Sequence, residues 1–138
     1  MSNQIKEGEI AAALRRKILA AILSSLLFAL ISMIDGFDWN AFFIVYYLNL
    51  MFVLTYGVIT SLFSDWISRK ISKRGYIREI TSFLFHCLFG TIFFVISLIS
   101  AIFFFIIDRL LVKVKIGWLS VIIALVIVVL VFIIMINS

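Results

Sequence analysis

Proline is absent from these 138 residues, cysteine and histidine occur once each, and charged residues make up 14% of the chain. Without proline, no helix interior carries the ring that removes a backbone donor and forces a kink, so helices are expected to run unbroken. A single cysteine excludes an internal disulfide, and Cys87 reads as a small apolar packing residue. One histidine, one cysteine and no clustered buried carboxylates cannot supply a three- or four-ligand zinc site, so neither metal nor cofactor is expected. The patterns Gly-x-Ser-x-Gly and His-Glu-x-x-His are missing, as is a Ser-Lys pair within the apolar segments. No catalytic residue is therefore assigned, and the chain is not read as an enzyme.

What is present in excess is apolar: 65% of residues are hydrophobic, against about 45–50% in soluble domains. Seven acids and twelve bases cannot cover the surface of a water-soluble globule of this size. The expected class is a polytopic membrane protein. Crossing about 30 Å of hydrocarbon takes roughly 20 helical residues, and four segments pass that test: 18–34, 41–63, 80–107 and 118–136. The second is bracketed by Trp39 and Trp66, aromatic residues suited to the headgroup layer. The third is longer than one straight crossing requires, so it is expected to tilt or project, with a re-entrant segment as the alternative. The runs are continuous rather than alternating, which favours helices over a barrel. The first is too long for a signal-peptide core and is expected to be retained. The expected fold is all-α, a single domain of residues 1–138 built as an antiparallel bundle of four transmembrane helices behind a short basic tail, 1–17.

Positive charge is retained in the cytoplasm, and this sets orientation. With four crossings and the amino terminus inside, nine of the twelve bases are cytoplasmic, and Arg109, Lys113 and Lys115 are the exceptions. The first outer turn carries Asp35 and Asp38 and no base. Both termini are accordingly expected in the cytoplasm of a multi-pass cell-membrane protein. Asp108 is expected to pair locally with Arg109, while Lys113 and Lys115 reach the headgroups. The connection from Asp65 to Glu79 mixes five bases with Trp66, Ile67, Ile71, Tyr76 and Ile77, so it is expected to lie on the membrane surface. There Arg69, Lys70, Lys73 and Arg74 are candidate contacts for anionic lipid, or serve only as a topology signal. Nucleic acid is not an expected partner, because these bases are few, lie beside the bilayer and belong to no recognised module.

Polar residues within apolar spans carry the remaining information, since lipid offers them no partner. In the second span Tyr46, Asn49, Tyr56, Gly57, Thr60 and Ser64 share one helical sector, expected to face inward. In the third, Glu79, His86, Gly90, Ser97, Ala101 and Asp108 project within about 40° of one direction if the helix is continuous. The candidate intramembrane residues are Asn49, Tyr56, Thr60, His86 and Ser97. Each serves either interhelical hydrogen bonding or a polar pathway, and His86 either packs structurally or titrates near neutral pH, with Glu79 as its partner through a bridge. Ala21, Ser25 and Ala29 form a ridge of small residues that permits close helix approach, within this chain, between two copies, or with a larger membrane partner.

The stretch from Leu54 to Asp65, Leu-Thr-Tyr-Gly-Val-Ile-Thr-Ser-Leu-Phe-Ser-Asp, followed by Glu79 to Gly90 with Phe83, His86 and Phe89, resembles a family of small four-span integral membrane proteins from Bacillus and relatives. The resemblance implies a multi-pass protein of a Gram-positive plasma membrane and brings no activity with it. Small multidrug exporters are similar in length and span number. They use a glutamate embedded in the first span, and residues 18–34 contain no acid. The leading expectation is a noncatalytic accessory or interaction protein of the plasma membrane. The alternative is a small transporter or permeation protein using the polar faces of the second and third spans. A role in protecting the cell's own membrane is a third reading that no residue tests.

Overall fold

A chain with no proline and long apolar runs gains most by closing its backbone hydrogen bonds within helices, and the computed structural model does so. It describes residues 2–71, 73–91 and 94–138, with side-chain packing described for 6–71, 73–88, 91 and 96–138. Among these residues there is no strand. Five helices follow one another: α1 Ser2–Ser32, α2 Trp39–Ile71, α3 Gly75–Thr91, α4 Phe94–Leu111 and α5 Trp118–Asn137. The all-α expectation stands. Two of the helices, α2 and α5, are long and apolar enough to cross a membrane among the described residues.

The residues expected to form one third span do not form one helix. Helix α3 ends at Thr91, α4 begins at Phe94, and the two pack antiparallel, with Phe83 against Phe105 and His86 stacked on Phe104. The expected span 80–107 is therefore divided between the two arms of a helical hairpin, 80–91 and 94–107, rather than forming a single crossing, and the stripe from Glu79 to Asp108 is divided with it. This also overturns the placement of the bases. Arg109 returns beside Asp65 and Glu79, and Lys115 shares a basin with Arg15, Arg69 and Arg78. All twelve bases thus gather at one end of the molecule, while the opposite end holds Asp35 and Asp38. Helix α5 starts beside Arg15 and runs past Tyr47, whose hydroxyl donates to the Val128 carbonyl at 2.8 Å. The termini consequently lie at opposite ends of the molecule, not at the same one.

Two boundaries also differ from expectation. The basic tail is helical from Ser2 and continues into the first apolar segment without a break. The second helix runs on to Ile71, so the Asp65 to Glu79 connection shortens to residues 72–74. Ser64 and Ser68 make this continuation tolerable, because their hydroxyls donate to the Thr60 and Asp65 carbonyls of the same helix. Asp38 caps the other end of α2 by accepting the Asn40 N–H at 2.9 Å.

A π turn at Val53–Gly57 sets which face of α2 is covered. Before it, burial falls at Phe42, Tyr46, Leu50 and Val53; after it, at Val58, Ser61, Ser64 and Ser68. Steps of three or four residues are interrupted by one step of five, which is the extra residue a π turn inserts. Helices α1, α2 and α4 pack on one another, α3 lies against α2 and α4, and α5 rests on the flank of α1. Ala20, Ala21 and Ala29 are fully buried, so the small-residue side of α1 lies at its contacts with α2 and α4. Helix α5 is the least covered, with Val121 its one buried residue.

Candidate functional site

Charged side chains at the basic end turn inward. Lys17 on α1 is 0% exposed and Asp108 on α4 is 1% exposed. The Lys17 ammonium lies 2.8 Å from Asp65 Oδ2 and 2.9 Å from Asp108 Oδ2, and it also donates to the Ser61 hydroxyl. An ammonium has three donors, and all three are used. Each carboxylate is engaged in turn. Arg16 Nε donates to Asp108 Oδ1 at 2.7 Å. Asp65 Oδ1 accepts from Arg109 Nη2 at 2.6 Å and from the Ser82 hydroxyl at 2.7 Å. Arg109 Nη2 also donates to Ser82 Oγ at 3.1 Å, while its Nε lies 2.9 Å from Glu79 Oε2 without the alignment of a hydrogen bond. Three bases, Arg16, Lys17 and Arg109, meet three acids, Asp65, Glu79 and Asp108.

The cluster joins α1, α2, α3 and α4. Bringing these ions together costs desolvation that their attraction offsets only with extensive hydrogen bonding. The network supplies it around Lys17, Asp65 and Asp108, while Arg109 Nε faces Glu79 as an ion pair alone. The local pair expected between Asp108 and Arg109 does not form, because adjacent residues on α4 project in different directions: Asp108 toward α1 and Arg109 toward α2 and α3. Glu79 pairs with Arg109 rather than bridging to His86. No group of three or more His, Cys, Asp or Glu side chains placed to hold a metal ion occurs among the described residues, but Asp65 and Asp108 converge on one lysine, a pairing not expected from the sequence. Their signal in the sequence is the Asp108-Arg109 pair at the end of an apolar run, which becomes informative once that run is folded back.

Deeper in the bundle the polar groups are neutral. Asn49 on α2 donates to Ser25 on α1 at 3.0 Å and accepts from Ser100 on α4 at 2.7 Å. Tyr56, Thr60, His86 and Ser97 line one cavity of about 20 Å³, together with Ser100 and Phe104. Four of the five candidate intramembrane residues therefore share a cavity, and the fifth, Asn49, reaches its wall through Ser100. His86 is 4% exposed, and its Nδ1 has no hydrogen-bond partner among the described residues. Thr60 donates within α2, to the Tyr56 and Gly57 carbonyls.

The four candidate lipid contacts do not form one group. Arg69 lines an open basin of about 650 Å³ with Arg15, Arg16, Arg78 and Lys115. Lys70 lies over the Trp66 ring at 3.9 Å, and Lys73 and Arg74 occupy the bend between α2 and α3. Arg15 and Arg78 enter this basin unannounced by the sequence, because their convergence depends on how α1 and α3 pack. Comparison with family models, with curated proteins and with solved structures returned no match for this chain.

Proposed function

We propose that this chain is a noncatalytic accessory or interaction protein embedded in the plasma membrane, with its basic end in the cytoplasm. Support for the membrane comes from α5, whose Val- and Ile-rich surface is almost wholly uncovered, an apolar exposure that water would penalise and lipid does not. The separation of Trp39 and Trp66 along α2 is about 40 Å at 1.5 Å per residue, comparable with a bilayer including its headgroup layers. The gathering of every base at one end matches the charge bias of cytoplasmic loops. In this reading α1, α2 and α5 cross, the α3–α4 hairpin enters from the cytoplasmic side, and the amino and carboxyl termini face opposite sides. The resemblance to small four-span membrane proteins of Bacillus agrees with a membrane location but not with this number of crossings, and it names no activity.

The observation that carries the noncatalytic reading is the closure of the interior. Every donor of the Lys17 ammonium and every oxygen of Asp65 and Asp108 is engaged by another side chain. Such a cluster holds helices together and offers no free acid, base or nucleophile. A transporter is the second reading, favoured by the unpartnered Nδ1 of His86 beside a cavity. That cavity has room for about one water and is walled by Phe52, Val53 and Phe104, so it forms no pathway. Crosslinking in native membranes followed by purification of the tagged chain tests the choice. A stoichiometric heterologous membrane partner is expected. Self-crosslinks alone, with solute flux in reconstituted vesicles, would overturn the accessory reading in favour of transport.

A further inference from the structure

We propose that the basic basin at the charged end binds the phosphodiester of an anionic glycerophospholipid. The inference rests on the membrane placement above and goes beyond it by assigning a ligand and a site. Five bases line the basin, Arg15, Arg16, Arg69, Arg78 and Lys115, against one acid, Glu9. Arg16 is neutralised by Asp108. Among the described residues the side chains of Arg69, Arg78 and Lys115 have no ion pair or hydrogen bond, and the buried Nε of Arg15 has no partner. Guanidinium groups supply planar paired donors suited to phosphate oxygens, so an unneutralised set of three arginines and a lysine calls for an anion of that kind.

Two further features favour a lipid over a free phosphate. The same basin is walled by Leu111, Val112, Val114 and Ile116, so one wall suits an acyl chain while the bases face a headgroup. The Arg15 guanidinium lies 5.3 Å from the centre of the Trp118 ring, which places a charged group and an interfacial aromatic at one level. A recess of about 150 Å³, lined by Arg69, Arg78 and Arg109 and also by the acids Asp65 and Glu79, continues from the basin toward the ionic cluster. A hydrated free anion gains only from the bases, whereas a lipid also covers the apolar wall. The protein's own acids leave most of this charge uncompensated, because Asp65, Glu79 and Asp108 are committed to the cluster and Glu9 is the one acid lining the basin.

The test is native mass spectrometry of the full chain, purified in neutral detergent and mixed with phosphatidylglycerol, phosphatidylcholine or glycerol 3-phosphate. Retention of phosphatidylglycerol alone is expected. The triple variant Arg69→Gln, Arg78→Gln, Lys115→Gln removes groups with no structural partner, and it should bind phosphatidylglycerol about tenfold more weakly or worse. Lys113→Gln, outside the basin, should bind as the parent does. Equal retention of both lipids, full retention by the triple variant, or equal loss in Lys113→Gln would overturn the site. Binding of glycerol 3-phosphate as tight as that of the lipid would make it a soluble-phosphate site and overturn the lipid assignment. Carbonate extraction of the same membranes separates the two levels: a chain released by carbonate refutes the membrane placement, while a retained chain without lipid preference refutes the basin alone.

Discussion

The same three helices are joined at two levels by different chemistry. At the basic end α1, α2 and α4 meet through Lys17, Asp65 and Asp108; deeper in the bundle they meet through Ser25, Asn49 and Ser100. The ionic level is strong only while complete, because removal of one partner strands a buried charge. The neutral level consists of two ordinary hydrogen bonds whose loss strands nothing charged. A bundle held in both ways has its register fixed at one end by charge and its helix spacing maintained below by small residues.

The largest effect is expected from Lys17→Met, which leaves Asp65 and Asp108 each with one base fewer. A loss of about 3–5 kcal/mol is expected in unfolding from a neutral detergent. Adding Asp108→Asn to it restores the balance of charge, so the double variant should lose far less than the sum of the single losses. Strict additivity would show that the six charges act as separate pairs and would dissolve the contrast between the levels. Asn49→Leu comes next, at about 1 kcal/mol for two contacts in a membrane interior, with assembly retained. A loss as large as that of Lys17→Met would make the neutral level the principal fastening. The smallest effect is expected at the π turn. A Cβ added to Gly57 would meet Val53 Cγ1 at 3.1 Å, a strain that the better helix propensity of alanine roughly offsets. Gly57→Ala should therefore shift stability by less than about 0.5 kcal/mol in the same unfolding measurement.

The inward side of α2 is legible from helical periodicity only in part, because the π turn shifts the covered face to include Val58, outside the expected sector. Tyr46 and Ser64 are buried, and Asn49, Tyr56, Gly57 and Thr60 face the interior or its cavity. The small-residue ridge is plainer, since spacing by itself places Ala21, Ser25 and Ala29 in line. The hairpin is not legible in local composition: no proline or cluster of turn residues marks the stretch around 89–95, where only Gly90 and Thr91 depart from bulky apolar types. Its trace is global. A segment too long for one crossing, followed by three bases on the wrong side, makes two irregularities that a single fold-back removes together. The ionic cluster is hidden for the same reason, because Asp108 and Arg109 can meet Lys17 and Asp65 only if the chain returns. Charge at the ends of apolar segments carries partner information that becomes readable once the number of crossings is right.

Side-specific labelling of single cysteines in sealed membrane vesicles, in a Cys87→Ser background, tests this account most directly. Lys73→Cys and Lys113→Cys should react from the same face, and Ser138→Cys from the other. Labelling of Lys113→Cys from the face opposite Lys73→Cys would restore a four-crossing bundle and contradict both the hairpin and the ionic cluster that depends on it.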